Sequence, residues 1–140
     1  KGVHYLFDSE VVIDGVKFYG SPWQPEFYDW AFNLPRGEKL AEKWAKIPGN
    51  TDILITHGPA HGMLDWTPSG QRVGCEDLFH RIMEVQPKIH VCGHIHCAYG
   101  QKNFNGVEFL NASVLNERYE YENKPIVVDF DVETKQIDYP

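Results

Sequence analysis

Alternating apolar and polar residues predict a β-hairpin near the start of the chain. Two such runs flank Asp14-Gly15, a dipeptide that favours a tight two-residue turn because both positions accept a positive φ. Residues 21–37 come next and are rich in aromatic residues and proline, without any period. A loop of this length is typical of a functional segment rather than of a simple connection.

Two amphipathic helices are predicted further along the chain. Apolar residues recur at helical spacing over residues 38–47 and 76–85, and the stretches end at Pro48 and Pro87. A second irregular segment, residues 60–74, separates the first helix and its following strand from the second helix. Both helices therefore lie between segments with the apolar content of strands.

Continuous apolar runs predict buried strands at residues 52–56 and 88–92, since strands covered on both faces carry few polar positions. Another strand is predicted after the Asn105-Gly106 turn, and two more flank a turn near Glu133-Thr134. The order is β-β-α-β-α-β-β-β-β. Helices between strands that can run parallel predict a layered α/β fold.

Charge and cysteine content narrow the possible functions. The formal net charge is −7, and no basic stripe is present, which disfavours general nucleic-acid binding. No apolar run approaches the roughly 18–20 residues that a membrane span needs. The three cysteines are an odd number without framework spacing, which predicts reduced thiols and a cytoplasmic protein.

Histidines follow directly after two of the predicted strands. His57 ends the first of these segments, and His94 and His96 end the second. Ligands bind at the carboxyl ends of strands in α/β sheets, and residues two apart point the same way in extended chain. We therefore expect the three imidazoles to face one cavity, where they are good ligands for zinc, manganese or iron. Ordinary surface or core histidines are the alternative interpretation.

The cysteines that flank this histidine pair offer another interpretation of residues 91–100. Structural zinc sites combine two closely spaced ligands with a second pair elsewhere in the chain. Beyond Cys92 and Cys97 only Cys75 is left, so this interpretation is disfavoured. Cys92, in an apolar strand, is more simply a small buried residue. The remaining histidines, including His61 and His90, are assigned no site role.

Five segments occur in an order that is specific to one family: GSPWQPEFYDWAFNLPRG, DILITHGPAHGMLDWTP, RVGCEDL, PKIHVCGHIHCAYG and LNAS. Over roughly residues 5–130 the chain resembles the calcineurin-like metallophosphoesterases, most closely their metallophosphoesterase-domain-containing subfamily. The resemblance implies an α/β/β/α sandwich of two mixed sheets with two divalent metal ions (manganese, iron, zinc or similar). His57 and His94 would bind one ion, and His96 the other.

The chain also departs from this family, because it lacks the motifs D-x-H, G-D and G-N-H-D/E. Its Gly49-Asn50 is followed by Thr51. Those motifs supply the other ligands and the catalytic histidine. Residues 1–140 therefore resemble the C-terminal portion of a single metallophosphoesterase domain whose N-terminal half is missing. We assign no catalytic residue and expect little activity from the isolated chain.

The implied function is metal-dependent hydrolysis of phosphoesters by a hydroxide that the two metals activate. Its expected substrates are small phosphodiesters such as cyclic nucleotides. A non-catalytic binding or scaffold module that keeps the fold is the alternative. Aromatic residues in the segments around positions 23–32 and 65–66 can stack a nucleobase. The candidate substrate contacts are Trp23, Arg72 and Asn111, for which packing or solvation is the competing interpretation.

Overall fold

The computed structural model describes residues 2–140 and is built around a mixed β-sheet. The strands of the chain are β1 Ser9–Ile13, β2 Val16–Ser21, β3 Gln24–Pro25, β4 Asn33–Leu34, β5 Ile53–Thr56, β6 Ile89–Cys92, β7 Gly100–Phe104, β8 Val107–Asn111, β9 Asp129–Phe130 and β10 Ile137–Asp138. Six of them form the main sheet in the order β1-β2-β5-β6-β8-β7. The predicted α/β class is confirmed.

The centre of this sheet is parallel and its two edges are antiparallel. Strands β2, β5, β6 and β8 run in the same direction. Edge strands β1 and β7 each form a hairpin with their neighbour, β2 and β8 respectively. The carboxyl ends of the four parallel strands therefore meet along one edge of the sheet, where ligands of α/β proteins bind.

The predicted first hairpin is confirmed. Asp14 and Gly15 have φ values of 49° and 79°, which both central positions of a type I′ turn require. Ile13 pairs directly with Val16 across this turn, so the turn sets the register of the whole hairpin.

Two helices, α1 Glu38–Trp44 and α2 Glu76–Val85, cover one face of the sheet. The second helix has the predicted bounds: the Cys75 thiol accepts a hydrogen bond from the Leu78 amide at its start, and Gln86 ends it with a left-handed φ of 55°. The first helix ends before the predicted position 47. Ile47 is nevertheless buried, in a tighter turn whose amide bonds the Trp44 carbonyl.

The largest core lies between these helices and the sheet. It is formed by side chains from both helices and from the central strands, among them Tyr19, Leu40, Trp44, Leu54, Leu78, Ile82 and Phe109. The stripes of apolar residues that predict the helices point into this core, and their burial is the main stabilising contribution of the helices.

The opposite face of the sheet is covered only in part. Val16, Ile53 and Leu110 pack there against the C-terminal segment around residues 126–137, and the Tyr139 hydroxyl donates to the Glu108 carboxylate. Ile55, on the central strand β5, keeps 39% of its surface exposed. Apart from the main sheet, residues 2–140 contain only the pairs β3-β4 and β9-β10, so the sandwich of two sheets stays a prediction.

Five strands differ from the sequence expectation. Two of them, β3 and β4, pair within residues 21–37, which the sequence predicts as a loop. The sequence pattern does not predict β7, a polar and largely exposed edge strand with no buried face to impose alternation. The two strands predicted near the C-terminus are reduced to two paired residues each. None of the helices in the described part of the chain has the length and apolar character to cross a membrane.

Candidate metal site

Neighbouring parallel strands bring two histidines to the same edge of the sheet. His57 follows the end of β5, and His94 follows the end of β6 by two residues. Their ring centroids are 4.7 Å apart, with 41° between the ring planes. The Gly93 amide donates a 3.0 Å hydrogen bond to the His57 carbonyl and so ties the two strand ends together.

His96 faces the same cavity from the start of a short 3-10 turn, His96–Ala98. Its Nδ1 lies 2.8 Å from the Asn116 carbonyl oxygen, and this nitrogen must be the donor because a carbonyl only accepts. In the neutral ring, Nε2 then carries the free lone pair. An outer hydrogen bond of this kind is the usual way to orient a metal-binding histidine.

The three histidines line one cavity of about 380 Å³. Its other lining residues are Phe27, Trp30, Thr67, Pro68, Ile95, Glu117 and Tyr119. Burial lowers the pKa of His57, although the residue as a whole is exposed. Burial, followed by the charges of His57 and His96, lowers the pKa of His94 to about 4. Both rings are thus neutral near pH 7 and present lone pairs.

This donor set fits a divalent ion in its chemistry but is incomplete. Neutral imidazoles suit zinc, manganese or iron. Within residues 2–140, however, no group of three or more histidine, cysteine, aspartate or glutamate side chains is close enough to hold a metal ion. An ion bound by the His57–His94 pair therefore needs further ligands from another part of the protein.

A buried histidine lies behind the pair. His90 Nε2 is 2.8 Å from the Thr56 hydroxyl, which donates to the Gly58 carbonyl at 2.7 Å. Since that hydroxyl has only one proton, His90 Nε2 must be the donor to it. His90 thereby fixes the backbone on both sides of His57. Complete burial lowers the pKa of His90 to about 3.

Acidification is expected to destabilise the fold through His90. Below its ordinary pKa of 6.5 the unfolded chain takes up a proton at this ring, whereas the folded protein does so only near pH 3. The free energy of unfolding is therefore lost as pH falls from 6.5 towards 3, by at most about 1.4 kcal/mol per pH unit. Urea unfolding of the protein and of His90→Gln at about pH 7 and about pH 5 measures this contribution.

In that experiment the variant should lose less stability between the two pH values than the unsubstituted protein. The exposed His80 provides the control, because His80→Gln should leave the pH dependence unchanged. Equal pH dependence in the protein and in His90→Gln would contradict the assignment of a neutral buried ring.

Two of the candidate substrate contacts already have partners in the fold. The Arg72 guanidinium pairs with the buried Asp65 carboxylate at 3.0 Å and lies 3.7 Å from the centroid of the Trp66 ring. The Trp23 indole donates to the Asp8 carboxylate at 2.8 Å. Neither residue lines the histidine cavity. Their contact with substrate stays a prediction.

The third candidate, Asn111, is completely buried. Its amide donates to the carbonyls of Leu64 and Ile95, at 3.2 and 2.9 Å. Its side-chain oxygen accepts from the Ser113 amide at 3.1 Å. Asn111 does not line the histidine cavity either. Its hydrogen bond to the Ile95 carbonyl holds the chain between His94 and His96. Its role as a substrate contact also stays a prediction.

Sequence reasoning identifies only part of the cavity wall. Phe27 and Trp30 come from the segment that the sequence marks as aromatic and functional. Glu117 and Tyr119 come from the segment after β8, which the sequence analysis assigns no role. The only signal there is the density of charged and aromatic side chains in NERYEYEN.

The cysteines are free thiols: Cys75 and Cys92 are buried, and Cys97 is exposed. Burial raises the pKa of Cys92 to about 12, so this thiol remains protonated. The exposed Cys97 thiol donates to the Trp66 carbonyl at 2.8 Å. The assignment of no ligand role to the cysteines stays a prediction.

Comparison with known proteins identifies the relatives of this chain. It is 54% identical over 127 residues to Metallophosphoesterase domain-containing protein 1 of Homo sapiens, and equally to that of Mus musculus. These matches cover 89% of this chain and the C-terminal part, 39%, of each relative. The chain is a homologue of the metallophosphoesterase domain-containing proteins. The predicted resemblance is thus confirmed.

Further comparisons agree with this family and add the fold. A UPF0046 protein of Caenorhabditis elegans is 42% identical over 135 residues, which are 94% of this chain and 34% of that protein. One solved crystal structure superposes with a TM-score of 0.62 at 17% identity, over 96% of this chain and 52% of that one. No model of a protein family matches. The metallophosphoesterase homologue therefore spans well under half the length of these curated relatives.

Proposed function

We propose that this chain is part of a metal-dependent phosphoesterase that hydrolyses small phosphodiesters, with cyclic nucleotides as the favoured substrates. One observation carries the proposal. The neutral rings of His57 and His94, with centroids 4.7 Å apart, face a cavity that His96 also lines. They do so in a homologue of proteins named for a metallophosphoesterase domain. No residue of the described chain is assigned as the catalytic acid or base.

The charges around the cavity support a bound metal. The residues of the described chain that line it include no lysine or arginine, and the net charge of the protein is −7. A phosphodiester anion in this cavity therefore needs positive charge from bound ions. His57 and His94 would hold one divalent ion, and His96, oriented by the Asn116 carbonyl, the other. Such ions supply Lewis acidity towards the phosphoryl oxygens.

Aromatic side chains beside the histidines support a substrate that carries a flat ring. Phe27 packs edge-on against His94 and Trp30, with centroid distances of 5.0 Å for both pairs. Tyr119, 64% exposed, packs against His96 at 5.2 Å. Exposed aromatic faces near a phosphate site can stack a nucleobase. This arrangement favours nucleotides over small aliphatic diesters.

The remaining ligands belong to the rest of the domain in this proposal. An open concavity of about 340 Å³ lies beside His57, lined by residues that include His4, Leu6 and the exposed Ile55. It continues the partly covered face of the sheet. We infer that the preceding half of the domain packs here and supplies the carboxylate ligands, because the matched relatives are more than twice as long as this chain.

Hydrolysis of bis-p-nitrophenyl phosphate in the presence of Mn²⁺ tests the proposal. A longer form of the protein, which includes the preceding half of the domain, is expected to turn the substrate over. Residues 1–140 alone should show little or no turnover because ligands are missing. EDTA should abolish the activity of the longer form.

The possible outcomes separate the two candidate functions. Equal turnover by both forms would contradict the need for a second half. Binding of metal and nucleotide by the longer form, without turnover under any divalent ion, would favour the scaffold module. The scaffold module is the second candidate because the described residues contain no group of three or more side chains that could hold a metal ion.

A further inference from the structure

His94 has a backbone conformation that L-amino acids rarely adopt. Its φ is 68°, in the left-handed region where the Cβ atom crowds the following carbonyl. Such strain persists only where surrounding contacts over-determine the conformation, and it is concentrated at functional sites. The contacts that hold His94 in this state therefore decide where its ring points.

Two backbone hydrogen bonds enclose His94. The Gly93 amide donates to the His57 carbonyl at 3.0 Å, and the Ile95 amide donates to the Gly93 carbonyl at 2.7 Å. The second bond closes a three-residue turn with His94 at its centre. These bonds fix the amide side of the turn. The Ile95 carbonyl accepts a 3.1 Å hydrogen bond from the Ala98 amide and has a second lone pair for a donor from elsewhere in the chain.

Asn111 supplies this second donor. Its amide nitrogen has two hydrogens, and both are used: one for the Ile95 carbonyl and one for the Leu64 carbonyl. Leu64 also has a left-handed φ, of 56°. A single buried side chain thus bonds two loops, each at or next to a residue in the left-handed region.

The position of Asn111 follows from the sheet. It is the last residue of β8 and pairs with Cys92, the last residue of β6. Its side chain is therefore directly beside the point where β6 ends and the turn to His94 begins. At that place, in a completely buried position, aspartate would offer no donor and leucine no polar atom, and the longer glutamine side chain would not fit.

We propose that Asn111 is a positioning residue that holds the His94 turn so that the His94 ring stays beside His57. The metal function of that ring rests on the function proposed above, but the holding of the turn does not. Asn111 contacts neither imidazole, so its effect on metal binding is transmitted through the Ile95 carbonyl and the strained backbone of His94.

Zn²⁺ titration of the 140-residue chain by calorimetry tests the proposal. Asn111→Leu, which keeps the branched shape and introduces no charge, is expected to weaken Zn²⁺ binding by about tenfold, the lower end of the effect of removing an outer partner of a metal ligand. Leu78→Ala provides the control: it removes a buried side chain of α2 that does not line the histidine cavity. The control should lose stability and change Zn²⁺ affinity less than about twofold.

Amide hydrogen exchange without metal gives a second readout. After correction for global stability, the Gly93 and Ile95 amides should exchange faster in Asn111→Leu than in Leu78→Ala, because local opening of the turn becomes easier. Asn111→Ser, which keeps one hydroxyl donor, replaces the first variant if that protein does not fold. The same direction of change is expected.

Each result decides the proposal. Unchanged exchange of both amides, together with Zn²⁺ affinity equal to that of the unsubstituted chain, would overturn it. If the unsubstituted chain shows no Zn²⁺ binding, as its incomplete ligand set allows, amide exchange alone decides the proposal. In that case faster exchange still supports the positioning role, and unchanged exchange still overturns it.

Discussion

Zn²⁺ binding by this chain is expected to fall by about 100-fold or more when His57 and His94 are both replaced by alanine. These are the two neutral imidazoles whose ring centroids lie 4.7 Å apart in the structure. Loss of an outer partner alone weakens metal binding by about 10–100-fold, and removal of two direct ligands must cost at least as much. Calorimetric titration with Zn²⁺ measures the change.

The control for this double substitution is an exposed histidine outside the cavity. His80 lies on the solvent side of α2, and His80→Ala should leave the Zn²⁺ affinity unchanged. A double variant that still binds like the unsubstituted chain would show that the metal binds elsewhere, for instance at other surface histidines. It would remove the observation on which the proposed phosphoesterase function rests.

Asp65→Ala is expected to lower the free energy of unfolding by about 2–4 kcal/mol, since each buried donor left without an acceptor costs about 1–3 kcal/mol. The carboxylate of Asp65 is completely buried. It accepts hydrogen bonds from the amides of Gly62 and Gly74, at 2.9 and 3.1 Å, and pairs with Arg72. All of these contacts hold the loop between β5 and α2. Urea unfolding near neutral pH measures the loss.

Two further variants make this experiment specific. Asp65→Asn keeps one acceptor oxygen and should lose less stability than the alanine variant. Asp29→Ala, at an exposed position in the aromatic segment, should have little effect. If Asp65→Ala were as stable as Asp29→Ala, the hydrogen bonds of this carboxylate would not be organising the loop. Thr67 and Pro68 of that loop line the histidine cavity, so the substitution also tests how far loop order supports the site.

Several of the confirmed sequence predictions depend on patterns that can be recognised within one segment of the chain. The hairpin follows from Asp14-Gly15 between alternating runs, because turn geometry alone sets its register. The bounds of α2 follow from an apolar stripe that ends before Pro87. Histidines after two apolar runs predict a shared edge, since parallel strands bring their carboxyl ends together.

The predictions that differ from the structure lie where local pattern is weak. The polar edge strand β7 shows no alternation because neither of its faces is buried. The helix α1 ends at Trp44, yet the apolar stripe runs on to Ile47, because a tighter turn can bury the same residue. The spacing of apolar residues indicates which positions are buried, but it does not distinguish a helix from the turn that follows it.

The sequence by itself determined the class of this protein: an α/β fold, a family of metallophosphoesterases, and the histidines that the proposed metal site uses. Only the tertiary structure decided which groups Arg72 and Asn111 contact. Arg72 pairs with Asp65, and Asn111 bonds Ile95 and Leu64, which are 16 and 47 residues away along the chain. Residue type states which hydrogen bonds a buried side chain needs, but the partner is chosen by the folding of distant segments onto one another.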